Sequence, residues 1–225
     1  MLVYGKNVFQ EMETKKIRKV YLLPQKKNSE MVSFLEKNHV RYEVVSRERM
    51  NRMVSGNHQG IVCDVFDYEY GILKDCYEDD FVLVLDHLED PHNLGAVIRS
   101  AEAAGISHVI IPKDRSVQVN DTVMKISAGA LNRVCVIQVS NIHQTLQTLK
   151  KQGFMIYATA MDGKDYRKYD YHLKKVLVIG SEGKGISELV RKSSDAIISI
   201  PMKGKINSLN ASVAAGIFMF YMMEE

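Results

Sequence analysis

The sequence has few of the patterns that identify disulfide-bonded, metal-binding or membrane proteins. Its three cysteines, Cys63, Cys76 and Cys135, form no C-x-x-C pair, which predicts reduced thiols in a cytoplasmic protein. No two of the seven histidines have H-x-x-x-H spacing, so we expect no metal. The N-terminus lacks the apolar core of a signal peptide. The apolar run at 211–223 is shorter than the roughly 20 residues of a membrane span, so no membrane partner is expected.

The common nucleotide-binding signatures are also missing. Gly180, Gly183 and Gly185 do not have the spacing of G-x-G-x-x-G, and no Lys-Ser or Lys-Thr pair follows them as in a P-loop. This argues against a dinucleotide-dependent enzyme on a Rossmann-like sheet, which we keep as one alternative function.

Charge is balanced overall but unevenly distributed. The net charge of +3 is too small to require a nucleic-acid partner. Residues 15–27 nevertheless hold six basic and no acidic side chains, whereas residues 71–80 hold four acids and one lysine. A solvated face explains such runs as well as a binding surface does.

Hydrophobic periodicity predicts two α/β units in the 225 residues. Residues 1–68 contain short strand-like stretches around an amphipathic helix at 29–38, and 69–80 form the predicted linker. From residue 81 onward, continuous apolar runs predict buried strands of a mostly parallel sheet. These runs lie at 81–86, 108–112, 133–139, 154–160, 175–180 and 196–201. Helical patterns between them predict a doubly wound second domain over 81–225.

Three loops are candidates for a binding site because ligands of such folds lie beyond the carboxyl ends of the strands. They are "DHLEDPHN", "GSEGKGIS" and "PMKGKINSLN". Each has an ordinary interpretation when taken alone. Asn93 suits a helix cap, Arg99 and Glu102 suit a surface ion pair, and Glu182 suits a solvated loop.

The last helical pattern, 209–223, is apolar on nearly all sides. A helix without a polar face must be covered on more than one side. The sheet can cover one side, so the pattern predicts a second subunit on the other, with a fully buried helix in a monomer as the alternative.

Taken together, the three loops and their flanks resemble a known set of motifs. "DPHNLGAVIRSAEAAG", "VLVIGSEGKGIS" and "ISIPMKGKINSLNASVAAG" resemble, in this order, the motifs of the SpoU family of RNA ribose 2′-O-methyltransferases in the SPOUT superfamily. "NHQGIV" and "PKDRSVQVNDTVMKISAGA" are most similar to the bacterial subgroup that methylates a guanosine ribose in 23S rRNA.

The resemblance implies a fold, a cofactor and partners. The fold would be α/β, with a C-terminal parallel-sheet domain tied in a trefoil knot and a small N-terminal domain like ribosomal protein L30e. The cofactor would be S-adenosylmethionine, without a metal. The partners would be rRNA and a second copy of the chain, joined through the knotted domain and the last helix.

The resemblance also assigns roles to particular residues. Arg99 would meet the ribose 2′-hydroxyl and its phosphate, with Glu182 orienting it and Asn93 and Asn210 holding substrate and loops. The residues expected to hold the cofactor are Gly180, Ile200, Leu209, Ser208, Met202, Thr159 and Ala160. Those expected to contact RNA phosphates are Lys15, Lys16, Arg18, Lys19, Lys26, Lys27 and Arg115.

Two further alternatives stay open at this point. The same chemistry could act on tRNA, and the chain could be a non-catalytic RNA-binding factor in ribosome assembly. Neither the modified nucleotide nor the subunit that supplies Arg99 to a given site follows from the motifs.

Overall fold

The computed structural model of the chain describes residues 1–24, 29–205 and 208–224. They form two β-sheets in sequence order, the first within residues 2–65 and the second within residues 81–199. Lys26 and Lys27, two of the predicted RNA contacts, lie outside the described residues.

The N-terminal sheet has four strands in the order β1-β4-β2-β3. Strand β2 runs antiparallel to β4 and parallel to β3. The strands are β1 (Leu2–Tyr4), β2 (Ile17–Leu22), β3 (Tyr42–Val44) and β4 (Ile61–Val65). The helices are α1 (Lys6–Glu11), α2 (Ser29–Lys37) and α3 (Arg47–Met53). The elements β1, α1 and α3 are absent from the sequence prediction because each is too short to show a period.

The C-terminal sheet has six strands in the order β10-β8-β9-β5-β6-β7, and every neighbouring pair is parallel. The strands are β5 (Phe81–Asp86), β6 (His108–Pro112), β7 (Cys135–Val139), β8 (Met155–Asp165), β9 (Lys175–Gly180) and β10 (Ala196–Ser199). The predicted parallel sheet is therefore confirmed, and its apolar runs coincide with the strands because both faces are buried.

Helices cover both faces of this sheet, as the doubly wound pattern predicts. They are α4 (Pro91–Ala103), α5 (Asp121–Ile126), α6 (Ile142–Lys151), α7 (Glu188–Ser193) and α8 (Ala211–Glu224). Leu83 and Leu85 share one core with α4 and α8, whereas Val82 and Val84 share the other with α6 and α7. Alternate residues of one strand thus serve opposite cores.

The strand order brings the three candidate loops to one edge. Strand β9 lies between β5 and β8, and β10 lies outside β8. The loops that follow β5, β9 and β10 therefore leave the sheet at neighbouring carboxyl ends. Strand order does not define how the last loop threads, so the trefoil knot stays a prediction.

Helix α8 is buried on one side only. Ala215, Phe218 and Met222 face the core, and the buried Lys175 Nζ donates to the carbonyl oxygen of Met222 at 2.5 Å. Met222 lies in the last turn of α8, and a cation there is stabilised by the negative, C-terminal end of the helix dipole. The opposite side is 36–51% exposed and carries Val213, Ile217, Phe220 and Met223. The other described residues of the chain thus leave an apolar face of α8 uncovered.

The predicted linker at 69–80 packs against the C-terminal sheet. Gly71 bridges to Ile137, and the hydroxyl of Tyr70 accepts from the Val119 N–H at 2.9 Å. Cys76 is fully buried in the core beside β7. The segment therefore extends the C-terminal domain, whose boundary stays a prediction. Among the described residues, no helix combines the length and apolar character that a membrane span needs.

An ion pair also fastens this segment to β6. His108 Nδ1 lies 2.5 Å from Asp79 Oδ2, and both side chains are largely shielded. Hydrogen bonding to Cys135 and to Asp79 raises the pKa of His108 from 6.5 to about 9. Because the folded state holds the proton more tightly than the unfolded state, the pair stabilises the fold below pH 6.5. This stabilisation is lost as the pH rises through about 9.

We predict that His108→Gln lowers the free energy of unfolding most below pH 6.5, with a difference from wild type that shrinks as the pH approaches 9. Urea titrations across this range measure the difference. Asp79→Asn should change in the same direction with pH but by a smaller amount, because the contact between His108 and Cys135 remains. A difference that is constant with pH would contradict the ion pair.

Candidate active site

Three side chains from the three candidate loops meet at one point. Asn93 Nδ2 donates to Glu182 Oε1 at 2.7 Å. Asn210 Nδ2 donates to Asn93 Oδ1 at 2.9 Å and to Glu182 Oε1 at 3.1 Å. Asn93 and Asn210 are 117 residues apart in sequence. The fold thus brings together three of the four predicted catalytic residues.

Asn93 is not a helix cap, so that interpretation was wrong. The N-cap of α4 is Asp90, whose side chain accepts from the His92 N–H at 2.9 Å. Asn93 lies within the first turn and is 5% exposed. Buried amides need partners, and this side chain finds them in the other two loops.

Asn210 has two functions in the structure. Its Oδ1 accepts from the Ser212 N–H at 2.9 Å, which caps the start of α8. Its Nδ2 points the other way and joins Asn93 and Glu182. One side chain therefore sets both where α8 begins and where the last loop meets the other two. Ser208 is exposed on the same loop.

The loop after β9 folds back on itself tightly. Ser181 and Gly185 exchange backbone hydrogen bonds of 3.1 and 2.9 Å. A Cβ atom at Gly180 would lie 2.2 Å from the Gly185 carbonyl carbon, so only glycine fits there. The hairpin holds Glu182 at its exposed tip, where its carboxylate accepts from both asparagines. It is thus not merely a solvated loop acid.

Asp86 is a positioning residue that sequence reasoning did not identify. It is 1% exposed at the end of β5, and its Oδ2 accepts from the Ser187 N–H at 2.7 Å. Its Oδ1 lies 2.7 Å from His87 Nδ1. The carboxylate therefore ties the glycine loop to the neighbouring strand. The sequence feature that could have identified Asp86 is its position as the acid that ends the otherwise apolar run "FVLVLD".

Four of the seven predicted cofactor residues lie on or directly after three adjacent strands. Thr159 and Ala160 lie in a bulge of β8, where residues 159–163 have no partners on β10. Gly180 ends β9, and Ile200 follows β10. The remaining two apolar residues, Met202 and Leu209, are more than one third exposed. Exposed apolar side chains near the ends of these strands suit a ligand with a flat apolar ring and polar edges.

Arg99 does not join the cluster within one chain. It lies six residues after Asn93 on α4, which places it roughly 9 Å along the axis and about 120° around it. Its side chain is exposed and has no hydrogen bond or ion pair within the described ranges. The surface ion pair with Glu102 was wrong, because Glu102 Oε1 accepts from Arg133 Nε at 2.6 Å.

The predicted RNA-contacting residues are mostly paired with acids. Lys15 and Lys16 lie near Glu13, Arg18 near Asp64, and Lys19 near Glu43. Exposed pairs of this kind are weak and can exchange for phosphate.

Arg115 is exposed, in the left-handed region at φ 52°, on a loop held by the carbonyl of Leu88. That loop therefore lies beside the loop that precedes α4. Within the described part of the chain, no three His, Cys, Asp or Glu side chains could hold a metal ion.

Comparisons with known proteins agree with the geometry. Residues 80–220 match the "SpoU rRNA Methylase family", and residues 2–71 match the domain described as "RNA 2'-O ribose methyltransferase substrate binding". The first match alone covers more than half of the chain. The chain belongs to the SpoU family.

Curated relatives extend this similarity over nearly the whole chain. YacO of Bacillus subtilis (strain 168), whose name places it in the TrmH family of tRNA/rRNA methyltransferases, is 41% identical over 97% of this chain and 93% of its own length. A protein of Staphylococcus aureus (strain COL), placed by name in the same family, is 44% identical over 79% of this chain and 75% of its own.

Solved structures of methyltransferases share the fold. The methyltransferase AviRb from Streptomyces viridochromogenes, in complex with AdoMet, superposes with a TM-score of 0.86 at 21% identity, over 100% of this chain and 89% of its own. The AdoMet-bound rRNA methyltransferase from Sinorhizobium meliloti superposes with a TM-score of 0.84 at 24% identity, over 99% of this chain and 86% of its own.

We predict that Gly180→Ala destabilises the protein by about 1–3 kcal/mol, because the new methyl group meets the backbone of Gly185. Urea unfolding measures the change. Gly204→Ala is the matched control, since its Cβ would meet no atom within 4 Å, and it should change stability by less than about 0.5 kcal/mol. Equal effects of the two variants would contradict the tight hairpin.

Proposed function

We propose that this SpoU-family protein transfers a methyl group from S-adenosylmethionine to the ribose 2′-oxygen of one RNA nucleotide in the cytoplasm. The observation that carries the proposal is the hydrogen-bonded junction of Asn93, Glu182 and Asn210. It joins three loops that are distant in sequence beside the exposed apolar groups expected to hold the cofactor.

The cofactor-binding set fits S-adenosylmethionine. Met202 and Leu209 offer apolar surface for an adenine ring, and the backbones near Gly180 and Ile200 offer hydrogen-bonding groups. Thr159, Ala160 and Ser208 complete the proposed set. When bound, S-adenosylmethionine would supply a methyl group already activated on a sulfonium. The residues would then align the ribose and stabilise its 2′-oxygen as the hydroxyl proton passes to water, and S-adenosylhomocysteine would be the leaving group.

Arg99 is the residue that we assign to the 2′-oxygen. Guanidinium stays protonated in proteins, which suits it to stabilise a developing alkoxide and to hold the adjacent phosphate rather than to act as a base. Its exposure and lack of a partner in the described ranges leave the guanidinium free to meet the substrate. Asn93 and Asn210 contribute neutral hydrogen bonds, and Glu182 holds their geometry.

A homodimer completes this arrangement. Arg99 lies about 120° around α4 from Asn93, and α8, which packs beside α4, has an uncovered apolar side. Burial of Val213, Ile217, Phe220 and Met223 against a second copy would remove that surface from water. We propose that the dimer also brings Arg99 of one subunit to the loops of the other.

A guanosine in 23S rRNA is the proposed target. The support is the similarity of "NHQGIV" and of residues 112–130 to the subgroup with that activity, together with the matched substrate-binding domain. The names of the curated relatives include both tRNA and rRNA. Methyl transfer from tritiated S-adenosylmethionine to each purified RNA separates the two targets, and transfer to neither would contradict the proposed function.

We predict that Arg99→Ala reduces methyl transfer by roughly 10²–10³-fold, because a charge that stabilises the transition state is lost. Tritium incorporation into RNA measures this loss. S-adenosylhomocysteine should still raise the melting temperature of the variant, because the cofactor loops are intact. The control Glu102→Gln removes the acid that pairs with Arg133 and should keep near-normal turnover. Normal turnover by Arg99→Ala would contradict the assignment.

We predict that mixing Arg99→Ala protein with Asn210→Ala protein restores activity if Arg99 acts across the dimer. A mixed dimer then has one site with both residues intact, so an equal mixture should recover roughly a quarter of wild-type turnover by combinatorial counting. Each variant alone, at the same total concentration, is the control. Failure of the mixture to recover activity, once subunit exchange is demonstrated, would contradict a shared site.

A further inference from the structure

A cavity of about 570 Å³ opens on the N-terminal domain, away from the junction of the three loops. It lies where β2 and β3 begin, between residues 14–18, residues 38–41 and Phe66. Its volume is in the range of pockets that hold small ligands or single nucleotides. None of the motif residues lines it, but two of the predicted RNA contacts, Lys15 and Arg18, do.

The cavity wall contains an exposed aromatic ring with a cation above it. Phe66 follows β4 directly, is 52% exposed, and is held by its backbone N–H, which donates to the Lys16 carbonyl at 3.1 Å. The guanidinium of Arg18 lies 5.0 Å from the ring centroid. A flat ring beside a planar cation is the surface on which unpaired nucleobases stack.

Other basic side chains line the same cavity. Arg41 is exposed and has no ion pair within the described ranges, and His39 lies beside it on the same wall. Lys15 is paired with Glu13 at 2.7 Å, but an exposed pair of this kind can exchange for a phosphate. Glu13 and Asp64 pair with Lys15 and Arg18 without lining the cavity. Arg41 is thus the lining cation whose charge is not balanced by an acid in the described ranges, and it favours an anionic ligand.

Polar contacts connect the cavity with Arg99. Lys16, next to Lys15, donates from Nζ to Asn132 Oδ1 of the C-terminal domain at 3.3 Å. Arg133 follows Asn132 and is paired with Glu102, which lies one turn beyond Arg99 on α4. These contacts link the domain that holds the cavity to α4, the helix that carries Arg99.

We propose that this cavity binds one unpaired nucleotide of the RNA substrate, with its base against the Phe66–Arg18 pair and its phosphate at Arg41 and Lys15. The proposal rests on the proposed function, because it takes RNA as the ligand. It adds a requirement that the active site does not set, because it predicts that the RNA substrate has an unpaired nucleotide near the methylated one. A basic face that contacts only the duplex backbone would need no aromatic ring.

Binding of full-length protein to a short fluorescein-labelled oligouridine tests the stacking contact. Phe66→Leu keeps an apolar side chain but removes the ring, and we expect roughly tenfold weaker binding by fluorescence anisotropy. Phe66→Tyr should bind within about twofold of wild type because the ring remains. Phe34→Leu is the matched control, because Phe34 is similarly exposed in the same domain but does not line the cavity. Melting temperatures verify that each variant is folded.

Duplex RNA and crosslinking distinguish a nucleotide pocket from a backbone contact. Phe66→Leu should leave binding of duplex RNA unchanged, and 5-iodouridine in the oligonucleotide should crosslink to the peptide that contains Phe66. Arg41→Gln should weaken the binding of both oligouridine and duplex RNA, and it should reduce the slope of log affinity against log salt concentration by about 1. Unchanged oligouridine binding by Phe66→Leu, an equal loss for duplex RNA, or crosslinks only elsewhere would overturn the proposal.

Methyl-transfer kinetics separate this proposal from the proposed function. With rRNA as substrate, Phe66→Leu should raise KM for RNA and leave kcat unchanged at saturating RNA. If the wild type methylates rRNA and Phe66→Leu has the same KM, the proposed role of the cavity is contradicted and the proposed activity is supported. If the wild type binds oligouridine through Phe66 but methylates no RNA, the proposed activity is contradicted and the proposed role of the cavity is supported.

Discussion

The hydrogen bonds among Asn93, Glu182 and Asn210 are the constraint on which the rest of the site depends. Each loop alone could adopt many conformations, and ordering it costs conformational entropy. The parallel sheet brings the three loops to one edge, and the buried amide of Asn93 then requires partners from both other loops. Asp86 adds a fourth tie by holding the glycine hairpin to β5. The loops that we propose to hold the cofactor are therefore organised by the protein itself.

The same junction determines the position of the last helix. Asn210 caps α8 at one end, and Lys175 binds the carbonyl of Met222 at the other. With both ends held, the rotation of α8 is set, and the side with Val213, Ile217 and Phe220 faces outward. Arg99 lies on a side of α4 that does not face the junction. Our dimer proposal links these facts, since one interface would cover the apolar side and bring Arg99 to a site.

The N-terminal domain is not loosely tethered. The 68–80 segment packs along the C-terminal sheet through Tyr68, Tyr70 and Cys76, and Lys16 reaches Asn132 directly. Such contacts favour a defined distance between the cavity at Phe66 and Arg99. A protein that selects one nucleotide needs such a distance, because alignment of the reacting groups contributes much of the rate.

Local pattern in the sequence determined the sheet and the location of the site. The bounds of β5, β6 and β9 coincide with their apolar runs because strands buried on both faces need such runs. Tertiary structure decided which side chains meet. Glu102 pairs with Arg133 rather than with Arg99, Asn93 binds distant loops rather than capping its helix, and Asp86 binds a loop 101 residues away. These partners are set by chain folding over long separations, which no local spacing encodes.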